Sequence, residues 1–460
     1  MKVIVKAAVA VALAASMSSC HIYKKYETPT STPLTKEYAD AVAAGQDSTA
    51  FGNVAWQDVF TDPILVDYIN RALANNTNLR NAQLNVEAAQ AQLLGAKLSY
   101  LPSVAFAPNG GKSKFQSLPA SDWSYTLPVQ VSWEIDIFGK LLNSKRGAQA
   151  ALLQSEAYSQ AVRSQIISAV ATTYYTLAAV KQQLQLSRNT SELWLETVNK
   201  MRDLKLAGRN NEAGVMQSEA NYYNILGSIT DLETSVRQLN NTMSLLLNVM
   251  PQEWEVAQGA QLVAPADARN GVAMSMLAAR PDVAAAEQSL ASAYYATNSA
   301  RAAFYPGLAI TANGGFTNLL GSAIVNPGKW FVQLAGSLTA PIFSRGRNIA
   351  QLKASKAQQQ QAMNSFEYTL LSAASEVSNA LTVYEKSNEK AIFLDKQVED
   401  LTKAVEYTQD LFKYSTGEVN YLNVITAQQS LLAAQISRIS CAQAGNLAVI
   451  NLYQSMGGGR

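Results

Sequence analysis

The chain has 460 residues, of which 48% are hydrophobic and 15% are charged, and its mean hydropathy is −0.04. This composition is typical of a folded chain and excludes a disordered one. The formal net charge is +2, and it falls to 0 if the first 19 residues with their two lysines are removed. A charge this close to zero does not indicate a nucleic-acid partner.

Residues 1–19 have the layout of a secretory signal peptide. Lys2 and Lys6 precede an Ala- and Val-rich run, and small residues then lead to Cys20. The apolar run is too short to span a membrane as a helix. Small residues directly before a cysteine resemble the processing site of bacterial lipoproteins. This resemblance implies cleavage before Cys20 and lipidation of Cys20.

The sequence lacks the residues for common catalytic sites. Its only cysteines are Cys20 and Cys441, and its only histidine is His21. Lipidation of Cys20 would leave Cys441 without a disulfide partner. No Ser/His/Asp or Cys/His arrangement, HExxH motif or phosphate-binding loop can be assembled. We therefore predict no enzyme activity, no cofactor and no metal site, and we expect Cys441 to be a packed residue in a helix.

The first part of the mature chain predicts an extended segment, a helix and a strand. The lipidated N-terminal region, 20–61, is predicted to be extended. The pattern over 62–100 is helical and is stopped by Pro102. A strand near Val104 follows, and it is predicted to end in Pro108-Asn109-Gly110-Gly111 and to form a hairpin with the next strand.

The next strand, Ser124–Ile137, has two unlike faces. Its odd-numbered positions are apolar, and its even-numbered positions are polar except for Pro128. The run exceeds the roughly 5–6 residues usual in soluble sheets and matches the ~9–11 with which a tilted strand crosses a bilayer. Taken alone, it fits either a half-buried strand of a soluble sheet or a transmembrane strand.

Two stretches predict very long helices. Residues 148–207 and 348–416 are runs of 60 and 69 residues without Gly or Pro, which as single helices would be about 90 and 100 Å long. Each run leads to a glycine tip, at Gly208 or Gly417, and a second helix returns from each tip. Gly208 stands where the end of a helix favours a left-handed residue.

The order of elements in the first half recurs in the second half. A Pro before the first strand, an Ile-Phe pair before the long helix and the Gly of the tip recur at offsets of 204, 205 and 209 residues. We therefore predict two structural repeats, 62–250 and 271–460, joined by a linker over 251–270. The second repeat supplies two more amphipathic strands, near 308–312 and 330–340.

Four amphipathic strands cannot close a barrel by themselves. In a membrane every strand edge must be paired, and the smallest outer-membrane barrels have about eight strands. Three chains with four strands each would supply twelve. Aromatic residues near both ends of the strands would form interfacial girdles: Trp123, Tyr125, Phe316, Trp330 and Phe331 near the loops, and Phe138, Phe304, Tyr305 and Phe343 near the helices.

Four sequence motifs carry a resemblance to a known family. They are Ser-Trp-Glu-Ile-Asp-Ile-Phe-Gly at 132–139, Ala-Arg-Pro-Asp-Val at 279–283, Ala-Arg-Ala-Ala-Phe-Tyr-Pro at 300–306 and Leu-Tyr-Gln-Ser-Met-Gly-Gly-Gly at 452–459. With these motifs the chain resembles the TolC-like outer-membrane efflux proteins, in their OprM-like lipoprotein branch, from about Trp56 onwards. The resemblance implies a mixed all-α plus β-barrel fold. Three chains would form a twelve-stranded transmembrane barrel in the outer membrane, continued into the periplasm by a long α-helical coiled-coil barrel.

The resemblance also implies the function. The expected protein is a homotrimeric, passive outer-membrane channel of a tripartite efflux pump, which carries small molecules such as drugs from the periplasm to the outside. Its expected partners are a periplasmic adaptor (membrane fusion) protein, an inner-membrane transporter and outer-membrane lipid. An outer-membrane duct for polypeptide (type I) export is an alternative within transport. A lipid-anchored periplasmic coiled-coil scaffold is an alternative of another class, and the amphipathic strands argue against it.

Adaptor contacts and structural charges are implied by the same resemblance. The helix tips at Gly208, Arg209 and Gly417 are expected to contact the adaptor. Charged residues of the motifs are expected to act as helix caps and ion pairs near the strand–helix junctions: Glu134, Asp136, Arg280 and Asp282.

The periplasmic gate is where the sequence departs from the family pattern. Members commonly carry acidic residues in a Leu-Asp-Ala-Gln stretch after the second tip, whereas residues 425–428 here read Ile-Thr-Ala-Gln. Asn423 likewise stands where some members have Asp. Either a three-fold ring of Glu418 or neutral contacts among Tyr414, Asn423 and Thr426 would then hold the closed mouth.

Overall fold

The structure is a computed structural model that describes residues 23–44, 51–112, 124–257, 259, 261–263, 277–319, 329–414 and 421–459. Its helices are α1 Pro33–Ala44, α2 Trp56–Val59, α3 Pro63–Asn75, α4 Thr77–Leu98, α5 Lys140–Leu206, α6 Glu212–Leu246, α7 Pro281–Ala302, α8 Arg347–Tyr414 and α9 Tyr421–Ser455. Its strands are β1 Ser103–Phe106, β2 Asn109–Gly111, β3 Ser124–Ile135, β4 Gly307–Leu319 and β5 Lys329–Thr339.

The strands form one antiparallel sheet in the order β1-β3-β4-β5, with β2 also paired to β3. β1 and β2 follow one register along β3, since Val104 faces Val131 and Gly110 faces Tyr125. The two are halves of one strand that is interrupted at Pro108, because proline has no N–H for the ladder. β2 continues the pairing, so the strand ends at Gly111, within the predicted stretch 108–111.

The three longer strands are those that alternation predicted. β3 has 12 residues and ends at Ile135, two residues before the predicted end. β4 and β5 have 13 and 11 residues, and β4 extends well beyond the predicted 308–312. β4 pairs with β3 along its whole length, from Leu308 opposite Ile135 to Leu319 opposite Ser124.

The long helices are also present. α5 has 67 residues and α8 has 68, and the returning helices α6 and α9 have 35 each. α5 begins at Lys140, earlier than the predicted 148, and includes Gly147. A Cβ at Gly147 would lie 3.6 Å from the Cβ of Tyr295, an ordinary van der Waals distance, so α5 and α7 are in close contact at this point.

The helical pattern over 62–100 is two helices, not one. Asp62 caps α3 by accepting a hydrogen bond from Ile64 N at 2.9 Å. Asn76 separates α3 from α4 with ψ 126°; its Oδ1 accepts from Asn78 N at 2.9 Å and its Nδ2 donates to Leu246 O at 2.9 Å. The single-helix prediction is wrong because these bonds replace the helical ones at the break.

The N-terminal region also differs from the prediction. Residues 23–30 have no regular secondary structure, but α1 and α2 lie within 20–61, so the extended prediction is wrong for that part. Thr32 and Thr35 exchange hydrogen bonds at the start of α1, with Thr35 N donating to Thr32 Oγ1 at 3.3 Å. This local capping favours a helix over an extended chain.

The chain divides into two compact units, and each draws on both halves of the sequence. The sheet unit comprises described residues of 23–29, 84–156 and 285–368. The helical unit comprises those of 30–83, 157–284 and 369–459. Large buried side chains of the helical unit include Trp194, Tyr174, Tyr453, Phe60 and Phe366. Within the described ranges, no helix combines the length and apolar composition that a membrane crossing requires.

Candidate functional site: the sheet faces, the junctions and the helix tip

One face of the sheet is apolar across its strands. Val104 faces Val131, which faces Ala312, which in turn faces Leu334. Cross-strand partners project to the same side of a sheet. Many side chains of this apolar face are exposed in the single chain: Val104, Phe106, Leu127, Val129, Trp133, Phe316, Trp330, Val332, Leu334 and Leu338. An exposed apolar surface of this extent marks a membrane or protein contact.

The opposite, polar face carries a row of amides. Gln130 faces Asn313, and Asn313 faces Gln333, so that three carboxamides lie side by side. The next row toward the helices contains hydroxyls, with Ser132 opposite both Ser103 and Thr311. This pairing fits the two faces predicted for 124–137, and it gives the polar face a neutral middle.

The junction between β3 and α5 is built by charged side chains, as the sequence predicted. Asp136 Oδ2 accepts a hydrogen bond from Leu142 N at 2.7 Å and thereby caps α5. Glu134 pairs with Lys140, with 2.8 Å between Oε1 and Nζ. Both charged groups of this pair are about half exposed, so the pair fixes geometry more than it adds stability.

Aromatic residues tie the neighbouring junctions together. Trp133 Nε1 donates to Tyr100 O at 2.9 Å, which joins β3 to the turn before β1. The rings of Phe138 and Tyr305 stack with 4.9 Å between centroids, which joins the turn before α5 to the turn before β4. Four of the predicted girdle residues, Phe138, Phe304, Tyr305 and Phe343, thus belong to the turns at the helical end of the sheet.

Arg280 forms a buried network rather than a junction contact. The residue is 6% exposed, and its guanidinium bonds to Asp282, Glu376 and Ser455 O, each at 3.0 Å or less. Burial lowers the pKa of Arg280, but the hydrogen bonds and charges of Asp282 and Glu376 raise it by more. The predicted ion pair of Arg280 with Asp282 is confirmed, and the network lies at the start of α7, within the helical unit.

The tip between α5 and α6 has the geometry of a tight helical turn. Gly208 has φ +69°, the left-handed conformation that glycine adopts at least cost. Asn211 caps α6 by accepting from Gly214 N at 3.0 Å. Ion pairs join α5 to α6 below the tip: Lys205 with Glu212, Arg202 with Glu219, and Arg188 with Glu233.

A groove of about 820 Å³ lies beside this tip, within the helical unit. Leu193 and Trp194 of α5, Arg209 of the tip, Phe412 of α8 and Val424 of α9 are among its lining residues. Trp194 and Val424 are buried in the core beneath it. Arg209, one of the predicted adaptor contacts, therefore stands at the edge of a largely apolar depression.

The structure places only part of the predicted gate. Asn423 and Thr426 lie in the first turns of α9, and both side chains are exposed. Tyr414 is the last residue of α8. Glu418 and Gly417 lie outside the described residues, as do Cys20 and Trp123. The choice between a Glu418 ring and neutral contacts therefore stays a prediction.

Sequence reasoning missed a strap formed by residues 24–28. Tyr26 N donates to Tyr295 Oη at 3.1 Å, and Thr28 Oγ1 donates to Glu287 Oε1 at 2.6 Å. Tyr294 Oη donates to Lys24 O at 3.3 Å. The strap thus lies along α7. The sequence signal was only a cluster of tyrosines, because the partners are more than 250 residues apart.

Cys441 is a packed helical residue, as predicted. It is buried in α9, and its Sγ donates to Ser387 O at 3.2 Å. Among the described residues, no group of three or more His, Cys, Asp or Glu side chains is arranged to hold a metal ion.

Known proteins match both the sequence and the fold. SilC of Salmonella typhimurium, named as a probable outer membrane lipoprotein, is 27% identical over 89% of each chain. The cation efflux system protein CusC of Escherichia coli K12 is 25% identical and covers 97% of this chain and 98% of its own. A solved structure of CusC, from a study of folding and transmembrane channel formation, superimposes with a TM-score of 0.83 at 24% identity, over 95% of this chain and 100% of that one.

A family model decides the assignment. The model for outer membrane efflux proteins matches residues 68–249 and 272–458. These ranges cover most of the chain, including the sheet, the long helices and the tip described above. The family is composed of channel proteins. The chain therefore belongs to the outer membrane efflux protein family and is an outer-membrane channel component of an efflux pump.

Proposed function

We propose that three copies of this protein close their sheets into one twelve-stranded barrel and carry small molecules passively out of the periplasm. The observation that carries the proposal is the sheet with an exposed apolar face and a polar face that is neutral in its middle. Among the described strands, β1 and β5 each have only one long neighbour. Strand edges must be paired in a bilayer, and pairing β5 of one chain with β1 of the next closes a ring.

The pump partners are a periplasmic adaptor (membrane fusion) protein and an inner-membrane transporter. A passive channel needs another component to supply energy. The adaptor contacts the helix tips at Gly208, Arg209 and Gly417. The groove beside Arg209 supports this assignment, because a largely apolar depression bordered by charged side chains suits the end of a helical hairpin.

The cargo is a small solute, with drugs as the first class. Metal cations are the second class, because the relative CusC is named for cation efflux. The amide row of Gln130, Asn313 and Gln333 carries no charge that would repel either class. Polypeptide export remains the alternative within transport. The sheet and the family assignment argue against a periplasmic scaffold.

Cys20 is the lipid anchor and the two repeats are 62–250 and 271–460, with the linker 251–270 between them. The lipoprotein name of SilC supports the anchor. The matching order of elements supports the repeats, since each long helix follows a strand and is followed by a 35-residue returning helix. The gate lies at the second tip, with Glu418 or with Tyr414, Asn423 and Thr426.

The test is purification of the full chain followed by planar-bilayer recording. We expect a heat-resistant trimer that forms discrete conducting channels. Expression together with the cognate adaptor and transporter should restore drug or metal resistance to a strain that lacks its own outer-membrane channel. A monomer without conductance would contradict the barrel, and secretion of a polypeptide without any change in resistance would favour the export duct.

A further inference from the structure

All helix–strand junctions of the sheet unit lie at one end of the sheet. The strands alternate in direction, so the turns after α4, before α5, after α7 and before α8 all lie at the ends marked by Ser103, Ile135, Leu308 and Leu338. The other strand ends, at Gly111, Ser124, Leu319 and Lys329, lie at the opposite end of the sheet. Since the family channels extend into the periplasm from this helical end, the junctions meet the inner leaflet of the outer membrane.

Exposed cations accumulate at these junctions. They are Lys97 at the end of α4, Lys145 near the start of α5, Arg301 at the end of α7, and Arg345, Arg347 and Lys353 around the start of α8. We call these six residues the basic band. Within the part of the chain that the structure describes, none of them has a carboxylate at ion-pair distance, whereas Lys140 next to them pairs with Glu134. Asp136 is committed to capping Leu142 N.

Arg345 and Arg347, at the start of α8, occupy positions that are unfavourable for cations, whereas Lys97 and Arg301 lie in the last turns of α4 and α7, where the helix dipole favours cations. α5 and α8 have no acidic residue in their first turns, where the helix dipole favours anions and disfavours Lys and Arg. Arg347 is the first residue of α8, and Arg345 precedes it with φ +50°. A helix N-terminus with added cations makes a strongly positive surface, which calls for an anion from outside the chain.

The band lies at the depth of lipid headgroups. Lys353 and Lys145 are within two helical turns of the first residues of α8 and α5, or about 10 Å at 1.5 Å per residue, and the headgroup region of a leaflet is roughly 5–8 Å thick. Lys145 Nζ is 5.9 Å from the ring centroid of Tyr100, whose carbonyl accepts from Trp133 on the apolar face. This cation therefore stands beside the apolar face.

Exposed apolar side chains lie next to residues of the basic band. Ile342 is 97% exposed and Phe343 is 84% exposed, directly before Arg345 and Arg347. Leu101 is also exposed, close to Lys97. Apolar groups beside cations are the combination that binds the acyl chains and the charged headgroup of one lipid molecule. The strap adds Lys24 and Lys25, both exposed, at the same end of α7.

We propose that the basic band is a binding surface for anionic phospholipids of the periplasmic leaflet. The partner is a phosphatidylglycerol-type lipid, whose phosphate accepts hydrogen bonds from Arg and Lys while its acyl chains cover Ile342 and Phe343. In a closed barrel the basic band would surround the channel at the level where the apolar face ends, and it would bind lipid headgroups there. This surface goes beyond the conduit function and would exist whatever the cargo.

The experiment measures lipid binding to the purified full-length protein in a neutral detergent. Phosphatidylglycerol or phosphatidylethanolamine with identical acyl chains is added, and bound lipid is counted by native mass spectrometry while the melting temperature is recorded. We expect a preference for phosphatidylglycerol that weakens in high salt. In the variant R345Q/R347Q/K353Q the apparent affinity for phosphatidylglycerol should fall roughly tenfold or more, because each Lys or Arg near an anionic headgroup contributes to binding.

The matched control is R237Q/K390Q/K396Q, which removes the same charge from exposed positions of the helical unit and should keep the preference. A second band variant, K97Q/K145Q/R301Q, provides the same test at other junctions if the first variant does not assemble. Equal binding of the two lipids, an unchanged affinity for phosphatidylglycerol in the band variants, or equal stabilisation by inorganic phosphate would each overturn the proposal. Intact conductance with any of these results would leave the channel function standing.

Discussion

Arg280 shows how a single charge can hold distant parts of the helical unit together. It joins the start of α7 to Glu376 in α8 and to the carbonyl of Ser455 at the end of α9. Its two acidic partners have side chains that are 43% and 51% exposed. Water can therefore hydrate the carboxylates if the guanidinium is removed, but it cannot reach the buried space that the guanidinium fills.

We predict that Arg280→Met destabilises the protein by about 1–3 kcal/mol, below the range for breaking a fully buried ion pair because the carboxylates can be rehydrated. The melting temperature of the purified protein in detergent measures the effect. The control Arg237→Met changes an exposed position on α6 and should leave the melting temperature within the error. An equal effect of both variants would mean that the network does not contribute.

Tyr175 gives the helical unit a dependence on alkaline pH. Its burial, followed by the charge of Asp62, raises the pKa of its hydroxyl to about 12, compared with about 10 in an unfolded chain. Below pH 10 the group is neutral in both states. Between pH 10 and 12 only the unfolded state loses the proton, so the free energy of unfolding must fall with rising pH.

We expect Tyr175→Phe to flatten this decline between pH 10 and 12 while leaving stability at pH 7 nearly unchanged. Thermal melts at several pH values would measure it. Tyr174, whose pKa is also raised by burial, remains in the variant, so part of the decline should persist. Identical pH profiles for the variant and the parent protein would place the alkaline sensitivity elsewhere.

Local residue roles were predictable, and distant ones were not. The cap by Asp136 and the pair of Glu134 with Lys140 act within six residues, so the sequence motif could indicate them. Glu376 lies 96 residues from Arg280, and Tyr295 lies 269 residues from Tyr26. Such partners meet only through the packing of whole helices, and neither composition nor periodicity carries that information.

At the scale of elements, the strand β3 allows the membrane assignment to be tested by adjacent residues. Val129 belongs to the apolar face and Gln130 to the polar face, and both are exposed in the single chain. Arginine facing lipid at mid-depth costs roughly 2–4 kcal/mol, whereas arginine facing a water-filled lumen costs little.

We predict that Val129→Arg impairs assembly, whereas Gln130→Arg assembles normally and shifts ion selectivity toward anions. Heat-resistant trimer on gels measures assembly, and reversal potentials in planar bilayers measure selectivity. Each variant is the control for the other, because both introduce the same side chain. Unaltered selectivity of a Gln130→Arg channel would show that β3 does not line the pore.

We propose that the second helix tip holds the closed mouth. Like charges around a three-fold axis attract cations, so a ring of Glu418 predicts cation selectivity in the closed channel. Glu418→Gln should then abolish most of that selectivity in planar bilayers, and Asn423→Ala should not. If selectivity is unchanged by Glu418→Gln, the neutral contacts of Tyr414, Asn423 and Thr426 are the better account.

The elements themselves were largely predictable because their signals are periodic and long. The alternation of apolar and polar residues predicted β3, and the runs without Gly or Pro predicted α5 and α8. The break at Asn76 was missed because an Asn in a helical pattern carries no signal until its amide is known to bond Leu246 O. The end of this strand within residues 108–111 was predictable from its Pro, Asn and Gly residues, but the pairing of Gly110 and Gly111 with β3 was not, because such residues carry no alternating pattern.

At the scale of the whole molecule, we propose that a lipid anchor at Cys20 and the sheet are two independent attachments to the outer membrane. We predict that Cys20→Ser blocks acylation and leaves an uncleaved or non-acylated protein, which mass spectrometry of the N-terminal peptide would detect. A version with a cleavable signal and no lipid should still insert, because the apolar face of the sheet supplies membrane contact. An unmodified mature N-terminus in the parent protein would contradict the anchor.

The open edges of the sheet also have a kinetic consequence. Because β1 and β5 lack outer partners within the described chain, the strands cannot satisfy their backbone groups in lipid until other copies arrive. Insertion of the strands then requires an encounter between copies of the protein. The rate of insertion must therefore rise steeply with the local concentration of chains. An anchor confines newly exported copies to one membrane surface, so that they meet by diffusion in two dimensions instead of three. Lipidation of Cys20 would therefore increase the rate of assembly.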